Sequence, residues 1–148
     1  MFTSVLAVVS TLAASVVAGP NIAAREVLAT WPADGFEQKC FHPGGCTAVF
    51  NIKAPAEYVH GAPAFSAICH PLSAEQDGTP NCEAVTDLAA GSYVESVWEV
   101  PSADDLVKIS VFHIWNEGDA RYNASGSVEF PASATSFEVP VTSMTAVL

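Results

Sequence analysis

Residues 106–115 read LVKISVFHIW. Val107, Ile109, Val111, His113 and Trp115 fall at every second position, with Lys108 and Ser110 between them. Side chains alternate across a strand, so this spacing turns one apolar face to a core and one polar face to water. Asn116-Glu117-Gly118-Asp119 follows at once and is a turn signal. The same period recurs on both sides. In TAVFNIK (47–53), Ala48, Phe50 and Ile52 share a face, opposite Thr47, Val49, Asn51 and Lys53. In SYVESVWEV (92–100), Val94, Ser96, Trp98 and Val100 share one, with Tyr93, Glu95, Val97 and Glu99 opposite. AFSAIC (64–69), RYNASGSVEF (121–130) and SFEVPV (136–141) are similar, and EVLATW (26–31) is a short apolar run. Gly, Pro, Asn and Asp clusters separate these segments. Only EAVTDLAA (83–90) looks helical, and eight residues make a weak helix. Seven or so short strands, with no linker or repeat between them, predict an all-β, single-domain antiparallel β-barrel or β-sandwich.

The chain of 148 residues opens MFTSVLAVVSTLAASVVAGP, and its first eighteen residues carry no charged side chain. That length could span a bilayer. Its place at the extreme N-terminus and its small-residue ending read instead as a signal peptide over 1–18. Val16 and Ala18 occupy the minus-three and minus-one places, so cleavage is expected after Ala18, leaving a secreted β domain over 19–148. Five Lys and Arg stand against sixteen Asp and Glu, all beyond residue 24, for a formal net charge of −11. That balance argues against nucleic acid, where basic residues must neutralise phosphate, and against adhesion to anionic lipid. No membrane anchor is expected beyond the signal segment.

In an exported chain, Cys40, Cys46, Cys69 and Cys82 meet an oxidising compartment, where an even number defaults to disulfides. Of the three connectivities, Cys40–Cys46 and Cys69–Cys82 are favoured because each closes a short local loop. The first spans CFHPGGC, in which Pro43-Gly44-Gly45 can reverse the chain. The second encloses AEQDGTPN (74–81). A zinc reading of Cys40, His42 and Cys46, with His70 beside Cys69, fails on spacing, because C-x-H-x3-C is neither of the tight pairs that zinc sites use. Neither metal nor cofactor is expected. Asn123-Ala124-Ser125 is a glycosylation sequon inside a predicted strand, so Asn123 must face outward if it is used.

The parts of a hydrolase are not assembled in the sequence. There is no GxSxG elbow and no HExxH helix. A copper-dependent polysaccharide oxidase would need a histidine at the mature N-terminus, where processing leaves Gly19 or a neighbour. Glu95 and Glu99 share a strand face, but four residues of strand put their Cα atoms about 13 Å apart. Glycosidase carboxyl groups stand roughly 5–9.5 Å apart. Glu129 and Glu138 lie on different strands, and the sequence leaves open whether they meet. His113 falls on the core face and reads as a hydrogen-bonded core histidine. Asp104-Asp105 reads as a turn, and Arg121-Tyr122 as surface decoration after the NEGD turn.

VFNIKAP, followed by AFSAICHPLSAEQDGTPNC, resembles the Alternaria major allergen-like family of small secreted fungal proteins. Cys69 and Cys82 match two bridged cysteines of that family, on a strand and after a short acidic loop. DDLVKISV, ARYNASGSVEFP and SFEVPV follow in the family's strand order, so the resemblance covers roughly residues 45–145. The family's later disulfide has no counterpart, since no cysteine follows Cys82. The lone early cysteine that links subunits in the type member is replaced by the pair Cys40 and Cys46, so a covalent dimer is not implied. The resemblance implies an antiparallel β-barrel or β-sandwich, a role at the fungal–host boundary among allergens, elicitors and effectors, and no catalytic residues to carry over. The expected function is therefore a secreted, non-enzymatic effector or elicitor recognised by plant cells. Its expected partner is a host protein or cell-surface component, and it is expected to be a monomer or a non-covalent dimer. A small hydrolase, or an inhibitor of host enzymes, is the alternative. Binding residues concentrate on loops, which singles out Glu75 and Asp77 in 74–81, and Asn116, Glu117 and Asp119 in 116–119.

Overall fold

A computed structural model describes residues 25–41, 43, 45–73 and 81–148. The signal-peptide assignment, His42, Glu75 and Asp77 lie outside the described residues. Nine strands run in chain order: β1 (Ala29–Phe41), β2 (Gly45–Ala54), β3 (Phe65–Cys69), β4 (Leu72–Ser73), β5 (Cys82–Ala84), β6 (Tyr93–Glu99), β7 (Leu106–Glu117), β8 (Ala120–Pro131) and β9 (Ser136–Val147). They form one sheet in the order β4-β6-β7-β8-β9-β1-β2-β3-β5. Every neighbouring pair is antiparallel except the two-residue β4–β6 ladder. The sheet curls until β5 lies along β6, giving a nearly closed barrel.

The period-two reading of 106–115 holds along its length. Val107, Ile109, Val111, His113 and Trp115 are all buried, as are Ala48, Phe50 and Ile52 on β2 and Val94 and Ser96 on β6. Three expectations are corrected. Residues 83–90 form no helix: 82–84 pair with β3 as β5, and the rest is bend and turn. Pairing with β3 gives Cys82–Ala84 backbone partners that eight isolated helical residues could not supply. The first strand is not 26–31 but 29–41, because β9 pairs with Ala29–Asp34 and β2 pairs with residues 33 to 41. Val100 leaves the core face, being 88% exposed just beyond the end of β6.

Two aromatic clusters fill the barrel. Toward the β1–β2 hairpin, Phe36, Phe50, Phe130 and Phe137 meet edge-to-face or stacked, with the Phe130–Phe137 centroids 4.2 Å apart. Toward the opposite end, Trp31, Tyr58, Phe65, His113, Trp115 and Tyr122 form the second cluster. On β8, Gly126 sits at a bulge where a Cβ would stand 2.1 Å from the Pro140 carbonyl oxygen. Only glycine allows β8 and β9 to approach that closely.

Both disulfides are present, Cys40–Cys46 and Cys69–Cys82. Each joins residues directly opposite one another on paired strands, β1 with β2 and β3 with β5. CFHPGGC is thus a stapled hairpin turn. Its two sulfurs, being bonded to each other, are not thiolate ligands for a metal.

Candidate functional site

The barrel has two loop-bearing ends. One carries the β1–β2 hairpin, residues 70–81, 100–105 and 132–135. The other carries 55–64, 85–92 and the turn at Gly118-Asp119. The sequence-derived loop candidates therefore divide between the ends. Ser73, which leads into 74–81, pairs with Trp98, itself opposite Ile109 on β7. Glu117 lies eight residues further along β7, about 26 Å away at strand rise. Among the described residues, Ser73 and Glu117 therefore stand toward opposite ends of the barrel.

At the first end, closure of the barrel rests on one side chain. The Asn81 amide donates to the Ser96 carbonyl oxygen, and the Ser96 N–H and Oγ donate to Asn81 Oδ1 at 2.9 and 2.8 Å. The amide thus supplies the donor and acceptor of a missing backbone rung between the β5 side and β6, and it does so for a fully buried Ser96. Asn81 lies at the end of a turn-rich loop, and nothing local in the sequence marks it as a strand surrogate.

At the second end, three loops pack on each other. Glu57 adopts a left-handed φ of 58°, its N–H donates to the Ala62 carbonyl, and its carboxylate accepts from the Gly61 N–H at 3.1 Å. A Cβ on Gly61 would meet the Glu117 carboxylate at 2.3 Å, and one on Gly91 would meet Asn116 Nδ2 at 2.4 Å. Asn116 and Glu117 are thus seated against the 55–64 and 85–92 loops, while Asp119 stands exposed beside Gly118, whose φ is 59°. Arg121 donates to the Tyr93 hydroxyl and lies 5.5 Å from the centre of its ring.

Beneath these loops His113 is fully buried between two hydroxyls: Tyr58 Oη lies 2.7 Å from Nδ1, and Ser92 Oγ lies 2.8 Å from Nε2. Burial pushes the His113 pKa down to about 4 and raises that of Tyr58, so both are neutral at ordinary pH. A protonated phenol whose partner among the described residues is Nδ1 donates to it. The imidazole proton then sits on Nε2 and donates to Ser92 Oγ. This polarity is the reverse of a serine–histidine nucleophile, in which the hydroxyl donates to the base. Among the described residues no carboxylate orients the ring, which has zero exposure. Tyr58 lies in a loop without periodicity, whereas Ser92 stands just before β6 in phase with the inward Val94 and Ser96; the core placement of His113 signalled that such partners were needed.

Two of the four carboxylate candidates, Glu99 and Glu129, are engaged. Glu99 accepts from Ser110 Oγ and pairs with Lys108 at 3.0 Å, and these bonds hold its carboxyl below the usual range. Ser102 donates to Glu129 through its Oγ at 2.5 Å and its N–H at 2.7 Å, lowering that carboxyl as well. The Gly126–Val141 register and the Phe130–Phe137 stack bring Glu129 beside Glu138 on the exposed face. The shift at Glu129 is opposite to the one a general acid needs. Asn123 alternates with inward Tyr122 and Ala124, so it faces outward. It is half-buried, and its Oδ1 is enclosed without a partner.

No protein-family model, no curated protein and no solved structure matches the chain.

Proposed function

We propose that the protein is a secreted fungal effector or elicitor that acts by surface recognition and is recognised by host plant cells, with allergen character implied by the resemblance over 45–145. The observation that carries the reading beyond that resemblance is the cross-strand stapling. Cys40–Cys46 and Cys69–Cys82 lock the hairpin and the base of the 70–81 loop onto a barrel, a rigid scaffold presenting loops for contact. Disulfides suit an extracellular setting. All four cysteines are used within the chain, which favours a monomer or a non-covalent dimer. The partner class is a host protein or a cell-surface component, and the net charge of −11 speaks against nucleic acid.

One observation leans toward the alternative of a small hydrolase: the depressed pKa of His113. Its cause is burial in a sealed aromatic cluster, which favours a structural role for the ring. The test is infiltration of the purified protein into leaves, beside reduced and heat-treated controls. Recognition predicts a response that depends on the folded state and survives Glu95→Gln, Glu99→Gln and His113→Gln in folded protein. Loss of the response in one such variant with unchanged melting would assign an enzyme instead.

A further inference from the structure

On the outer side of the barrel, Pro32 of β1, Lys53 of β2 and Ser66 of β3 stand on neighbouring rungs. Below them the Ala54–Phe65 rung ends the β2–β3 ladder, and the chain leaves at Pro55 and returns through Ala64. The segment after β5 folds over this corner, where the Val85 N–H donates to the Ser66 carbonyl at 2.9 Å and carries Thr86 to the rim. The result is a hollow of about 430 Å³, within the roughly 300–1,000 Å³ of small-molecule sites.

Its lining is mostly apolar, from Pro32, Ala54, Pro55 and Ala64, beside Phe65, whose ring belongs to the buried cluster. Both prolines have a fixed φ, and the floor is paired strand, so the hollow exists without rearrangement. The residues in the lining that carry polar groups are Ser66, Thr86 and Lys53. Among the described residues Lys53 has no carboxylate within 4.0 Å, whereas Lys108 is paired with Glu99. Asp34, one rung away, accepts from Asn51 Nδ2 at 3.0 Å. Lys53 thus sets a basic residue beside an apolar hollow, in a chain with five basic residues against sixteen acidic ones. We infer that this hollow binds a small amphipathic carboxylate, its apolar body against Pro32, Pro55 and Ala64 and its anionic head at Lys53. The site shares Pro55, Ala64 and Thr86 with loops of the second end, but the inference does not rest on the recognition reading.

The test is isothermal titration of the full, oxidised protein with sodium dodecanoate below its micelle concentration, beside dodecan-1-ol and dodecyltrimethylammonium. Saturable one-to-one binding of dodecanoate is expected, tighter than either comparator. Lys53→Met should weaken it about fivefold, the ratio for a solvent-rimmed ion pair, while Lys53→Arg should retain it. Thr86→Trp, at an exposed rim position, should abolish it with melting unchanged; should that variant fail to fold, Ala64→Leu replaces it. The inference is overturned if dodecanoate does not saturate, if the cationic amphiphile binds as tightly, if Lys53→Met matches the unmodified protein, or if the filled variant binds undiminished.

Discussion

Replacing Asn81 should open the barrel at its seam. Asn81→Ala removes three hydrogen bonds to Ser96, two at its backbone and one at its hydroxyl. Ser96 is fully buried, so water cannot replace those partners unless the seam parts. A hydrogen bond contributes about 1 kcal/mol net, and a buried polar group left unpaired costs about 1–3 kcal/mol. With partial relaxation of the seam, the expected loss is about 2–4 kcal/mol. In a domain of this size that lowers Tm by roughly 8–15 °C. Asn81→Asp keeps the acceptor for the Ser96 N–H and Oγ but sets a carboxylate oxygen against the Ser96 carbonyl, so it should also destabilise. The assay is denaturant unfolding combined with amide hydrogen exchange at Ser96. Exchange there should accelerate far more than at Val111, which is held on both sides by β6 and β8. A loss below about 1 kcal/mol, or unchanged protection of the Ser96 amide, would refute the idea that this side chain closes the sheet.

Three further outcomes are expected. His113 has its folded pKa at about 4 against 6.5 for the free side chain; between those values the unfolded chain binds a proton that the folded chain does not. Stability should therefore rise with pH from about 4 to 6.5 and then level, by up to about 3 kcal/mol, and His113→Gln should flatten that slope in pH-dependent melting. Gly126→Ala places a methyl group against the Pro140 carbonyl oxygen and should cost about 1–3 kcal/mol by overpacking, read by denaturant midpoint. The oxidised protein should weigh about 4 Da less than its fully reduced form, as two disulfides require. Cys69→Ser with Cys82→Ser should lose about 2–5 kcal/mol, whereas a Cys46–Cys69 peptide in the digest would contradict the pairing.

Alternation made most of the sheet legible. At 47–53 one face is buried and the other largely wet, so period two appears directly in the residue types; at 106–115 the inward set alternates although Ser110 and Ile114 on the other face are buried as well. It failed where pairing alone holds a strand. Residues 35–41 bury only Phe36, so DGFEQKCF carries no apolar alternation, and its strand character comes from β2 across a bulge at Gly35. β4 and β5 have two and three residues, too few to show any period. The local staples were legible because cysteine spacing limits loop closure. The polar contacts were not, because Tyr58, Ser92 and Asn81 reach their partners across 55, 21 and 15 residues of sequence. The hollow at Lys53 was equally hidden. Its walls come from four separate segments, each reading as ordinary strand or turn.

The position of β1 between β9 and β2 bears on how the chain is made. Ala29 pairs with Val141, so the first described strand finds one of its two neighbours only when the ninth is available. Until then Trp31, which ends wholly buried, has an open flank. The β1–β2 hairpin can form early, and its cystine can hold it, but that hairpin is a ribbon waiting for the other half of the sheet. Pairings this distant slow folding to the millisecond-to-second range typical of all-β topologies. They also leave sheet edges exposed meanwhile, which invites aggregation. A chain that emerges in sequence order therefore presents the β1–β2 hairpin well before it can close the barrel.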